Sequence, residues 1–118
     1  MFRFEKLSVW QKAIDFAMYV YEMTNGFPVD ERFGLTSQMR RTAVSVSSNI
    51  AEGSGRLSGK DRARFIEMDY SSLMEVVSQA ELAHRLTLLP QEYREDLYEK
   101  ADELARMLSG LKSSILNS

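Results

Sequence analysis

The chain has 118 residues, no cysteine and a formal net charge of −2. One domain of this length buries roughly two-thirds of the surface its unfolded chain exposes and needs no disulfide. The missing cysteines exclude thiol catalysis, cysteine-ligated zinc and iron–sulfur clusters. No apolar run approaches the ~18 residues of a membrane span, and no apolar segment follows the charged opening residues, so a cytoplasmic protein with no membrane partner is expected.

Taken in chain order, the pattern predicts four helices and no strand. The first helix is expected from about Ser8 to Asn25, with Ser8 as N-cap and Gly26 as the residue beyond its C-terminus. Gln11, Asp15, Met18, Glu22 and Asn25 share one narrow stripe at ~100° per residue. Nearly everything else on this helix is apolar, from Val9, Trp10 and Ala13 to Val20, Tyr21 and Met23. That face is wider than one bundle needs, so it serves deep packing, contact with a second subunit, or both. Gly26–Gly34 reads as a loop whose Phe27 and Phe33 plug the bundle end.

The second helix is expected from Leu35 or Thr36 to Glu52, closed by Gly53. Leu35, Met39, Ala43, Val46 and Ile50 recur on one face. Ser58 followed by Asp61 resembles a capping box and opens a third helix running to about Leu88. Its core face is Ile66, Leu73, Val76, Val77, Ala80, Ala83 and Leu88, and it includes Asp69. Pro90 fits the first turn of a fourth helix. There Tyr93, Leu97, Ala101, Leu104, Leu108, Leu111 and Ile115 follow a near-heptad spacing. The connections between the last three helices are short. The expected fold is therefore an all-α, antiparallel four-helix bundle, one domain over residues 1–118.

Charge is distributed unevenly. Residues 1–35 carry −1, residues 36–64 carry +4 and residues 65–118 carry −5. Arg40, Arg41, Arg56, Lys60, Arg62 and Arg64 make the basic island in the middle. It reads either as ordinary solvated charge or as an RNA or partner patch around the second turn. No interleaved aromatics support base stacking. The run Gly53-Ser-Gly-Arg-Leu-Ser-Gly-Lys60 lacks the first glycine and the final Ser or Thr of a phosphate loop, and follows a helix, so it reads as a helix–helix turn. His84, the one histidine, forms a single Glu-x-x-His pair with Glu81, where a di-metal bundle uses two. It reads as a structural histidine.

A polar seam is also legible. Arg41, Ser45, Asn49 and Glu52 lie within ~80° of one another beside the second helix's core stripe. Ser72, Glu75 and Gln79 form a similar stripe on the third. Antiparallel neighbours can join such stripes in one hydrogen-bonded network that specifies packing. No nucleophile or metal set accompanies them, so no catalytic, cofactor or metal residue is assigned.

The stretch Phe33-Gly-Leu-Thr-Ser-Gln-Met-Arg-Arg-Thr-Ala43, followed by Ser45-Val-Ser-Ser-Asn-Ile-Ala-Glu-Gly53 and Arg56, resembles the 23S rRNA intervening-sequence protein family. So do Phe4-Glu-Lys-Leu-Ser-Val-Trp-Gln-Lys-Ala13 at the start, Phe27-Pro28 with Glu31, Phe65-Ile66, and Ser72-Leu73-Met74-Glu75. The resemblance spans about Phe4 to Ala83, and the fourth helix matches only in pattern. It implies a bacterial four-helix bundle that assembles as a ring of identical chains, a homopentamer. Accessory proteins of diversity-generating retroelements resemble the family in fold and work with nucleic acid. They are strongly basic, and this chain is not. The expected function is a non-enzymatic, self-associating bundle that binds RNA or a ribonucleoprotein partner and has no cofactor and no small-molecule substrate. The alternative is a structural or protein-interaction scaffold with no nucleic-acid binding.

Overall fold

The computed structural model describes residues 1–117. Four α-helices, α1 (Ser8–Thr24), α2 (Leu35–Ser54), α3 (Gly59–Arg85) and α4 (Gln91–Leu116), are joined by short connections. Single 3-10 turns lie at Arg3–Lys6 and Val29–Glu31. Each helix runs antiparallel to the next, and α4 returns alongside α1. The side chains fix this arrangement. Arg40 near the start of α2 reaches Thr24 at the end of α1. Gln79 of α3 donates to Thr42 of α2, Arg94 of α4 pairs with Glu81 of α3, and Lys12 of α1 pairs with Glu103 of α4. The bundle measures 46 × 22 × 21 Å. No described helix is long and apolar enough to cross a membrane.

The apolar faces meet along the axis. Phe16, Val20, Met39, Val46, Ile50, Leu73, Val76, Leu97, Leu104 and Leu108 are essentially sealed from solvent. Within the fourth helix's apolar set, Tyr93, Leu111 and Ile115 are only half-buried, packed against the edge of the core. The first helix's surplus apolar width resolves into two kinds of residue. Trp10 packs edge-on against Phe4, and Tyr19 lies against Tyr93, both within the chain. Met18 and Tyr21 stay exposed.

Several helix ends differ from the sequence reading. The N-cap of α1 is Leu7 and not Ser8, because the preceding 3-10 turn delivers the chain with Leu7 already extended. Its C-cap, Asn25, is right-handed, and no glycine has positive φ, so Gly26 provides no left-handed exit. Gly53 does not close α2, which runs to Ser54. A Cβ on Gly53 would stand 2.8 Å from the Cβ of Phe65, so glycine there admits α3 to close range. Ser58 does cap α3, accepting from the Asp61 N–H at 3.0 Å.

Helix α3 stops at Arg85, not Leu88. The Thr87 N–H bonds the His84 carbonyl and the Leu88 N–H reaches back to that of Ala83. This is a Schellman ending, with Thr87 at φ 63° in the position glycine usually fills. Pro90 is the N-cap of α4 and sits one residue before the expected place. Phe27 is buried as a plug, but Phe33 is 91% exposed, because the 3-10 turn at Val29–Glu31 carries it outward beneath Arg32.

Candidate nucleic-acid interface

The fold separates the basic island into two groups. Arg40 is half-buried between α1 and α2. Its Nε donates to Thr24 Oγ1 at 2.8 Å, and its terminal nitrogen reaches the Asn25 side chain at 3.0 Å and the Tyr21 carbonyl at 3.3 Å. The guanidinium also lies over the Tyr21 ring. This arginine clamps two helices and is committed to them. Arg41 is exposed on the other side of α2. Thirteen residues of helix from Arg41 to Ser54, roughly 20 Å, separate this group from the α2–α3 turn.

The second group gathers at that turn. Arg56 and Lys60 are exposed and form no ion pair among the described residues. Arg62 is half-buried and directs one nitrogen at the carbonyls of Arg56 and Leu57, both at 3.4 Å. Arg64 is exposed, with Asp61 at 4.0 Å as a loose partner. Arg56 and Arg64 both lie over the ring of Phe65, at 4.5 and 5.8 Å. Phe65 is 5% exposed, so it steers the two guanidinium groups and offers no face to a base. The sequence reading gave Phe65 no role. The one sequence signal near it was the glycine at 53, which leaves room for the Phe65 Cβ. Leu57 crowns the turn, 99% exposed.

The polar seam comprises Arg41, Asn49 and Glu52 on α2 and Ser72, Glu75 and Gln79 on α3. Asn49, Ser72 and Gln79 are half-buried, and Arg41, Glu52 and Glu75 are exposed. The single described side-chain bond across this groove joins Gln79 Nε2 to Thr42 Oγ1 at 3.4 Å, and Gln79 Oε1 is buried without a partner. Thr42 was not among the expected members. Among the described residues no side-chain bond joins two of the expected seam members, and the exposed ones face water.

His84 Nδ1 lies 3.0 Å from the Leu89 carbonyl and ties α3 to the turn that follows. Glu81, three residues earlier, is held by Arg94 at 2.7 Å, which lowers its pKa, and is also close to Arg85. Among the described residues no three His, Asp or Glu side chains gather as a metal site would. A different group stands out in the core. Asp69 is 0% exposed, and neither carboxylate oxygen has a hydrogen-bond partner. Burial alone pushes its pKa up to about 8.

An apolar groove also runs between α1 and α2, lined by Ile14, Ala17, Met18, Tyr21, Val44 and Ser47. Met18 is 66% exposed, and Tyr21 and Val44 are also open.

An antiparallel four-helix bundle with a basic second turn defines the class, and comparison with known proteins gives the family. The sequence matches the 23S rRNA-intervening sequence protein family over residues 5–110, so the chain belongs to that family. A crystal structure of a protein of unknown function from the S23 ribosomal protein family of Bacteroides thetaiotaomicron is similar in fold. Its TM-score is 0.77 at 22% identity, covering 88% of this chain and 97% of that one. No curated protein matches the sequence.

Proposed function

We propose that the chain is a non-enzymatic bundle that associates with copies of itself and contacts the phosphates of RNA, free or within a ribonucleoprotein, through the α2–α3 turn. The observation that carries this reading is the turn itself. Arg56, Lys60 and Arg64 stand exposed together, two of them without an ion-pair partner. Phosphate contact needs positive charge free of internal partners, and it carries no sequence information. With Phe65 buried, base stacking has no platform here. Binding is therefore expected to be salt-sensitive and nearly indifferent to sequence.

About four charges on one chain give a log–log salt slope of only about −3 on single-stranded RNA. The acidic residues of α4 weaken even that. Assembly changes the balance, because a ring of five copies presents five turns to one long RNA. The α1–α2 groove supplies the apolar contact for such self-association. The test is filter binding of wild type and the Arg56→Ser/Lys60→Ser/Arg64→Ser variant at low and physiological salt. Wild type is expected to bind at low salt and to lose affinity steeply as salt rises, and the variant to bind weakly while staying folded. Equal binding by the variant, or none by wild type at low salt, favours the second reading, a protein scaffold. The open groove at Met18 and Tyr21 supports that reading by itself.

A further inference from the structure

The end of the bundle that carries the basic turn also holds a cleft of about 240 Å³. It opens where the end of α2, the start of α3 and the end of α4 meet the N-terminal 3-10 turn. Leu7, Ile50, Ile66 and Leu111 line it, together with Arg3 and Arg62. Among the described residues, Ser54 and Ser114 are the other polar side chains along its wall, and none of them is acidic. In a chain with more acids than bases, such a setting is unusual.

The two guanidinium groups point to a ligand. Neither Arg3 nor Arg62 forms an ion pair among the described residues. Arg62 is half-buried, and its only described bonds are two long ones to turn carbonyls from a single nitrogen. A partly desolvated guanidinium keeps most of its donors for an anion. Its planar fork suits a carboxylate or a phosphate. Arg56, Lys60 and Arg64 on the adjoining turn add to the positive potential around this end.

We infer that this cleft binds a single-chain amphiphile with an anionic head, its hydrocarbon among Leu7, Ile50, Ile66 and Leu111 and its carboxylate or phosphate on Arg3 and Arg62. Size and chemistry agree. The volume lies just below the range for drug-sized ligands, which suits one aliphatic chain. The aliphatic lining offers nothing to a nucleotide base. The site shares Arg62 with the basic turn but does not use Arg56, Lys60 or Arg64, so replacing Arg3 tests the cleft apart from RNA contact at the turn.

The test is a titration of the full chain followed through isotope-labelled methyl groups of Leu and Ile. The probes are octanoate, octyl phosphate, octylammonium, octan-1-ol and inorganic phosphate. Octanoate and octyl phosphate are expected to saturate one site per chain and to move the signals of Leu7, Ile50, Ile66 and Leu111. Octylammonium and inorganic phosphate are expected to leave them in place. Lengthening the fatty acid should tighten binding about fourfold per methylene until the cleft is full. Arg3→Ser should weaken the anionic probes about tenfold and leave octan-1-ol unchanged. That readout separates head-group recognition from folding, because unchanged octan-1-ol binding reports an intact apolar cleft. Leu111→Trp should block every amphiphile by filling the space. The proposal is overturned if octylammonium binds as well as octanoate, or if inorganic phosphate competes with octyl phosphate on equal terms. It is also overturned if octanoate shifts the α1–α2 groove and not the cleft, or shifts nothing.

Discussion

Asp69 is the residue whose environment departs furthest from its chemistry. An ionised carboxylate sealed in an apolar core with no partner is strongly disfavoured, so the proton stays on. Its folded pKa, about 8, lies above the ordinary aspartate value of 3.8 that the unfolded chain shows. The folded state therefore holds a proton that the unfolded state releases. This contribution to stability is complete below about pH 4 and is lost as pH rises towards 8, at about 1.4 kcal/mol per pH unit. Glu81 and Glu103, lowered by Arg94 and Lys12, act in the opposite sense at lower pH. Comparison with Asp69→Asn isolates the effect. Urea unfolding at pH 5, 6, 7 and 8 should show wild type losing stability relative to the variant at each step, and a constant difference would refute the assignment. Thr87 is the second residue at odds with its setting. A β-branched residue in the left-handed region costs ~1–2 kcal/mol, and glycine there loses some of that gain to chain entropy. Thr87→Gly should stabilise the fold by about 0.5–1 kcal/mol, read as a raised Tm with unchanged helicity.

Between elements, the two helix pairs that flank α2 are held by different means. The α1–α2 pair has Arg40, with three hydrogen-bond acceptors on α1 and a ring beneath it. The α2–α3 pair relies on close approach at Gly53 and on apolar packing, and its polar groove carries one long bond. Substitutions should rank accordingly. Arg40→Ala removes three charge-assisted hydrogen bonds, while the buried Thr24 hydroxyl keeps its own bonds to the Val20 and Tyr21 carbonyls, and should cost about 1–3 kcal/mol. Asn49→Ala removes a half-buried amide with no described bond and should cost under ~1 kcal/mol. Thermal melts of the two variants test the order, and a larger loss for Asn49→Ala would mean that the seam is bonded in the assembled protein.

For the whole molecule, the unresolved surface is the groove of Ile14, Met18, Tyr21 and Val44. Among the described residues no element covers these side chains, and a second copy is the partner the proposed function requires. Light scattering coupled to size exclusion at micromolar concentration should give a mass well above 13.5 kDa for wild type. Met18→Glu should shift that mass downward with little change in helicity, because Met18 contributes little to its own bundle. A 13.5 kDa species in wild type would exclude self-association through this face.

Helix count, order and core faces were legible in the sequence because helical periodicity is a local property. The spacing of Leu35, Met39, Ala43, Val46 and Ile50, or of Leu97, Ala101, Leu104 and Leu108, repeats every three or four residues whatever lies opposite. The family resemblance was legible for a similar reason, since it rests on contiguous residues such as Asn49–Gly53. Tertiary structure alone decided what lay opposite. Gly53 reads locally as a helix stop, and only Phe65 beside it shows that the helix continues. Arg40 and Arg56 read as one basic island, and only Thr24 and Asn25 reveal that the first is spent on a helix clamp. Asp69 sat visibly on the core face, but its lack of any partner depends on every helix around it. The cleft lined by Arg3 and Arg62 joins residues from both ends of the chain. No local pattern can report it, because burial, pairing and free charge are properties of neighbours in space.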